Sequence, residues 1–264
     1  MTLRHNDRWV NSFSLCIFFA MFLSACATGG SSNSSHSAKT KRGSDNALIH
    51  AQLAKGYLQQ KQYSIAKDEL EKALSIDSNH SDSNYIMALL MMELEQYEET
   101  ETHFARAVKS DPENASAAHD FGMFLCQIGK ERESVGYFEI AAKNALFEKQ
   151  ELSFMRAGEC LARINDSSAE SYLKHALSID PKLKPALYRL ALLKYDSASY
   201  FSARAYIERY MAITKPQPAA LLLAYKIESK LNATDVADEY RKQILENFSG
   251  SQQASDLRSQ QRNR

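Results

Sequence analysis

Four cysteines and seven histidines are the side chains of this 264-residue sequence with the widest chemical range, and their spacing decides what they can do. No His-Glu-x-x-His, Gly-x-Ser-x-Gly, Walker loop or Cys-x-x-Cys is present, so no arrangement for metal hydrolysis, acyl transfer, phosphate binding or dithiol exchange is legible. The histidines are scattered. His5, His36 and His80 fall outside or at the edges of the regular pattern below, His103 and His175 occupy positions expected to be exposed, and His119 is expected on a groove wall. No enzyme, cofactor, metal site or small-molecule substrate is expected. Cys16 and Cys26 lie in the N-terminal apolar region, which leaves Cys126 and Cys160, 34 residues apart, as the thiols of the folded part.

Charge and composition narrow the class further. Thirty-two Lys and Arg balance 32 Asp and Glu, so no net field draws the chain to nucleic acid. Hydrophobic residues at 44% and charged residues at 24% are ordinary globular usage. Nine glycines and five prolines are too few for an all-β sandwich or for glycine-rich nucleotide loops, and the chain reads as all-helical.

Residues 1–26 stand apart: Arg4 and Arg8, an apolar run from Phe13 to Phe22, then Leu23-Ser24-Ala25-Cys26. A basic head, a short apolar stretch and small residues before a cut make a secretory signal. The stretch is shorter than the roughly 20 residues of a membrane span. Its end resembles the lipobox of bacterial lipoproteins. The resemblance implies removal of residues 1–25 and acylation of Cys26, and three acyl chains hold a protein stably where one does not. Ala27 in place of Asp implies sorting to the outer membrane, facing the periplasm. Residues 26–46, with Gly29, Gly30 and several serines, read as a flexible tether, and 249–264 as a disordered polar tail with a single Leu257.

Between them a repeat of about 34 residues is visible. Ala54, Ala88, Gly122, Ala157 and Ala191 form one column of small residues. Ala66, Thr100, Ser134, Ala169 and Ala203 form a second, and Ala73, Ala107, Ala141 and Ala176 a third that ends at Tyr210. Leu53, Met87 and Phe121 precede the first column, and Leu70, Phe104, Phe138, Leu173 and Ile207 stand three residues before the third. Small residues let antiparallel helices approach, and bulky ones fill the groove beside them. With Tyr57, Tyr63, Leu74, Asp77 and the Asp111-Pro112 pair, these columns resemble the tetratricopeptide repeat. The resemblance implies a right-handed all-α solenoid of about six helix pairs over residues 47–248, one domain whose repeats touch only their neighbours.

In that family the first helix of each pair lines a concave groove. Carried over residue by residue, the groove positions are Tyr85, Leu89 and Met92, then Met123, then Phe154 and Leu161, then Tyr188, Leu192 and Tyr195. The set is apolar and suits an amphipathic helix or an apolar strand of a protein partner. Cys126 and Cys160 fall at nearly equivalent places in adjacent first helices. Packed helices bring such residues within disulfide range if they face each other, and the alternative is two buried thiols. Lipobox, tether and about six repeats together resemble the lipoproteins of type IV pilus biogenesis, PilF and PilW. That resemblance implies a non-enzymatic pilotin that binds secretin subunits and promotes their outer-membrane targeting and multimerisation. A scaffold lipoprotein for cell-wall synthesis or outer-membrane assembly is the alternative.

Overall fold

The structure, a computed structural model, describes the backbone of residues 33–262 and the side chains of 45–259. The signal segment 1–25 and Cys26 lie outside the described residues. Two compact units divide the chain, Met1–Lys39 and Thr40–Arg264. Thirteen α-helices and no strands occur among the described residues: α1 (Asn33–Gln59), α2 (Tyr63–Ile76), α3 (Ser81–Glu93), α4 (Tyr97–Ser110), α5 (Ala115–Gln127), α6 (Glu131–Lys143), α7 (Gln150–Arg163), α8 (Ala169–Ile179), α9 (Lys184–Asp196), α10 (Tyr200–Met211), α11 (Pro218–Lys230), α12 (Thr234–Asn247) and α13 (Gln252–Arg262). The first twelve form six helix-turn-helix pairs, the tetratricopeptide arrangement.

Each turn inside a pair repeats one piece of backbone geometry. Lys61, Glu95, Gly129, Asn165, Ala198 and Asn232 all have positive φ. The residue after each donates its N–H to the carbonyl five residues back, as in Gln96 to Met91 at 2.8 Å and Ser199 to Lys194 at 2.8 Å. This is the Schellman termination, which consumes a carbonyl the helix end leaves unpaired. The links between pairs carry a second motif. Asp77, Asp111, Asn144 and Asp180 each accept, through Oδ1, the N–H two residues on, a local bond that closes the link before the next first helix. Three of these links have four residues, whereas those before α7 and α11 have six. The first of the longer links holds the residue inserted near Lys149, and the second follows Tyr210, where the small-residue column is lost.

Packing follows the columns. Ala54, Ala88, Ala157 and Ala191 are fully buried, and a Cβ on Gly122 would lie 3.0 Å from the Phe138 ring. The tightest approach is one residue beyond the expected column: a Cβ on Gly158 would lie 2.7 Å from Leu173 Cγ and 3.0 Å from the Ala169 carbonyl. Phe104, Phe121, Phe124 and Phe138 fill the space beside these contacts, with Phe104 stacked on Phe121 at 5.4 Å. First helices also meet one another along the array, α5 with α7, α7 with α9 and α9 with α11. Second helices show no equivalent series among the described residues, so the first helices lie on the inner side of the bend.

The two ends differ from the sequence expectation. The stretch 26–46, read as a flexible tether, is helical from Asn33 onward as the start of α1. The stretch 249–264, read as a disordered tail, contains α13, whose Ala254 and Leu257 are buried against Leu221 and Ile244. One leucine and one alanine at helical spacing suffice to cover the exposed side of the sixth pair, which is why the polar composition misleads.

Close approach predicts opposite outcomes for two glycines. Gly158→Ala forces its Cβ into Leu173 and the Ala169 carbonyl and should cost about 1 to 3 kcal/mol. Gly136→Ala, in mid-α6 with nothing within 4 Å of the added Cβ, should stabilise by about 0.5 to 1 kcal/mol. Urea unfolding of the two variants measures both.

Candidate functional site

The inner-face residues picked from the sequence separate into three fates. Tyr85, Leu89 and Met92 of α3 are half-buried against the cluster of Phe104, Phe121 and Phe124, and the Tyr85 hydroxyl donates to Asp120 at 2.7 Å. Burial, with the Asp120 carboxylate second, raises the pKa of that hydroxyl far above the ordinary tyrosine value, so it stays a donor. Met123 packs beside Phe138 and the two cysteines. Phe154 turns toward its own second helix, with its ring 4.0 Å from that of His175. Tyr188, Leu192 and Tyr195 share one cluster, where Tyr188 meets Tyr210 at 5.4 Å and Tyr195 meets Tyr200 at 5.7 Å. Leu161 is not a groove residue: it is 4% exposed, because its turn of α7 is enclosed between α5 and α9, both of which α7 touches.

An open cleft of about 630 Å³ lies beside α9. Ala162, Leu192 and Leu193 give it apolar surface, and Arg163, Asp166, Glu170, Arg189, Lys194 and Asp196 charge its walls. The cations are largely matched. Glu159 accepts from Arg156 at 2.8 Å and from Arg189 at 3.1 Å, while Glu170 receives Lys174 at 2.7 Å and Lys194 at 2.6 Å. Those two lysines hold the Glu170 carboxyl below the usual range. A cleft with apolar surface and paired ionic walls takes a peptide segment with an apolar side chain more readily than a free anion.

Cys126 and Cys160 are joined by a disulfide between α5 and α7, with Cα atoms 5.9 Å apart, inside the range the bond tolerates. Arg163 Nη1 donates to the Cys126 carbonyl at 2.9 Å beside the bond. His119 stands nearby on the same inner side. Its Nδ1 lies 2.8 Å from Ser153 Oγ, and its ring meets Phe138 and Phe147 at 5.6 and 5.7 Å. His103, expected to be exposed, is half-buried with Nδ1 3.0 Å from the Oδ1 of buried Asn84. Among the described residues no group of three His, Cys, Asp or Glu could hold a metal ion, and no helix is long and apolar enough to cross a membrane.

Sequence reasoning missed an open apolar surface on the first pair. Met87 and Phe121 are 5% and 1% exposed, yet Leu53, in the same column, is 47% exposed, and Ile49 one turn earlier is 55% exposed. Each later member of the column is covered by the preceding second helix. Leu53 belongs to the first pair, before which no second helix occurs among the described residues.

The tetratricopeptide repeat family profile matches residues 47–80. The type IV pilus assembly protein PilF of Pseudomonas aeruginosa is 24% identical over 249 residues, spanning 94% of this chain and 98% of that protein. The crystal structure of PilW, described as a widely conserved type IV pilus biogenesis factor, superposes with a TM-score of 0.64 at 27% identity, covering 80% of this chain and 97% of that one. The chain is similar to PilF and PilW and shares the helix-pair fold of tetratricopeptide-repeat structures. The solved structure of Pseudomonas aeruginosa PilF shares the fold, with a TM-score of 0.65 at 22% identity over 84% of this chain and 99% of that one.

Burial lowers the pKa of both His103 and His119 from the ordinary value, so both rings are neutral in the folded protein at neutral pH. Below about pH 6.5 the unfolded chain takes up protons that the folded chain refuses. The stability present above that pH should therefore fall as pH drops. Urea midpoints at pH 7.5 and 5.5 measure the loss, and His119→Gln should reduce the difference between them.

Proposed function

We propose that this protein is an outer-membrane lipoprotein that binds secretin subunits of the type IV pilus machinery and promotes their targeting and multimerisation without catalysing a reaction. The similarity to PilF and PilW over nearly the full chain carries the reading. The lipobox ending in Cys26 supports it, because triple acylation supplies lasting attachment to the bilayer. The oxidising periplasm suits the Cys126–Cys160 disulfide.

Partner binding needs apolar surface that the fold itself does not use. Ile49 and Leu53 on the first pair offer it, as does the cleft around Leu192, while Leu146 and Phe201 are exposed singly. Tyr85, Phe154 and Tyr188 contribute by shaping the inner face, since their rings already pack against Phe104, His175 and Tyr210. An amphipathic helix of the partner, lying where a preceding second helix would lie, would cover Ile49 and Leu53 in the way the second helices cover Met87 and Phe121.

A strain lacking the protein should lose heat-resistant secretin multimers from its outer membranes and accumulate secretin monomer, and the intact gene should restore the multimer. Complementation with an Ile49→Asp/Leu53→Asp variant should fail although the variant folds, because the substituted side chains are exposed in the free protein. Normal multimers and normal pili in the deletion strain would contradict the reading and direct the search to wall-synthesis partners.

A further inference from the structure

The eleventh residue of each first helix after α1 changes in chemistry along the array. It is Met91 in α3, Leu125 in α5 and Cys160 in α7, all nearly fully buried, then Lys194 in α9 and Glu228 in α11. The two charged members are each paired with the residue that follows the small-residue column of the preceding second helix, after Ala169 and Ala203, 24 residues earlier in both cases. Lys194 meets Glu170 of α8 at 2.6 Å. Glu228, 3% exposed, receives Nε of Arg204 of α10 at 2.8 Å, while the Arg204 Nη2 donates to its other oxygen. The same two lattice positions therefore carry an acid on the second helix at one interface and a base at the next.

We propose that this reversal of polarity fixes the order in which the last three pairs stack. A repeat array has near-equivalent interfaces, so skipping a pair or exchanging pairs between chains is its characteristic misassembly. Stacking α11 on α8 would place Glu228 against Glu170. Stacking α9 of one chain on α10 of another would place Lys194 against Arg204. Either error sets like charges against each other where the native order pairs opposite ones. The N-terminal interfaces, with Met91, Leu125 and Cys160 in the column, lack this device, and the Cys126–Cys160 disulfide ties α5 to α7 there instead.

The test is refolding of the full chain from urea in detergent at several protein concentrations, read by size-exclusion chromatography with light scattering. Arg204→Glu/Glu228→Arg keeps an ion pair but gives both interfaces the same polarity. It should raise the misassembled oligomer fraction by about tenfold, which corresponds to roughly 1.4 kcal/mol of lost discrimination. Arg204→Leu/Glu228→Leu keeps a packed interface without charge and should raise the fraction by a smaller factor. Adding Glu170→Lys/Lys194→Glu to the first variant restores opposite polarities and should return the fraction to the wild-type value. Wild-type monomer yield in both two-site variants, or oligomers that persist in the four-site variant, would overturn the proposal.

Discussion

The first five pairs in this array depend on two helices coming closer than ordinary side chains permit. At Gly122 and Gly158 there is no room for a Cβ without displacing Phe138 or Leu173, and at Ala54, Ala88, Ala157 and Ala191 a methyl group is all the contact holds. Because each small residue is matched to one bulky partner some sixteen residues later, the contact is local in sequence, and the pair forms as a unit. The Schellman turns and the aspartate-closed links set the angle at which one pair hands over to the next. Stability is then a sum of pairs and nearest-neighbour interfaces, as expected for a one-dimensional stack.

A stack built this way spends most of its apolar residues on itself. The inner face is rich in Tyr, Phe, Leu and Met, but Phe154 is committed to His175, Tyr188 to Tyr210, and Tyr85 to Asp120 and Phe104. Open apolar side chains remain within the stack, at Leu146 and Phe201, and at its first pair. At the C-terminal end α13 covers Leu221 and Ile244, whereas on the first pair Ile49 and Leu53 stay exposed. Midway, the cleft by α9 opens where charged walls replace apolar packing.

The repeat itself was legible because its signal is a spacing, and spacing survives in the bare sequence: the columns at Ala54, Ala66 and Ala73 give the helix pairs and their number. Whether a column residue has a neighbour is a different question. Leu53 and Met87 look alike in sequence but are 47% and 5% exposed, since a second helix packs before Met87 and none precedes α1 among the described residues. Leu161 matched a groove position, but the exposure of that position depends on how tightly adjacent first helices approach, which no pattern encodes. His103 was placed on an exposed face and instead bonds Asn84. The last helix was missed because Ala254 and Leu257 are two apolar residues in a polar stretch, too few for periodicity and enough for a cap. Lys194 and Glu228 carried no signal singly; the 24-residue offset shared with Glu170 and Arg204 emerges only when the pairs are seen in contact.

The central claim is that partner contact falls on the surfaces stacking leaves open and not on the whole aromatic inner face. A photoreactive side chain placed in turn at Leu53, Leu192 and Phe154, irradiated in envelopes containing the secretin, tests it most directly. The account predicts secretin adducts from position 53 or 192 and none from position 154, whose ring is occupied by His175. Adducts from position 154 with none from 53 or 192 would contradict it.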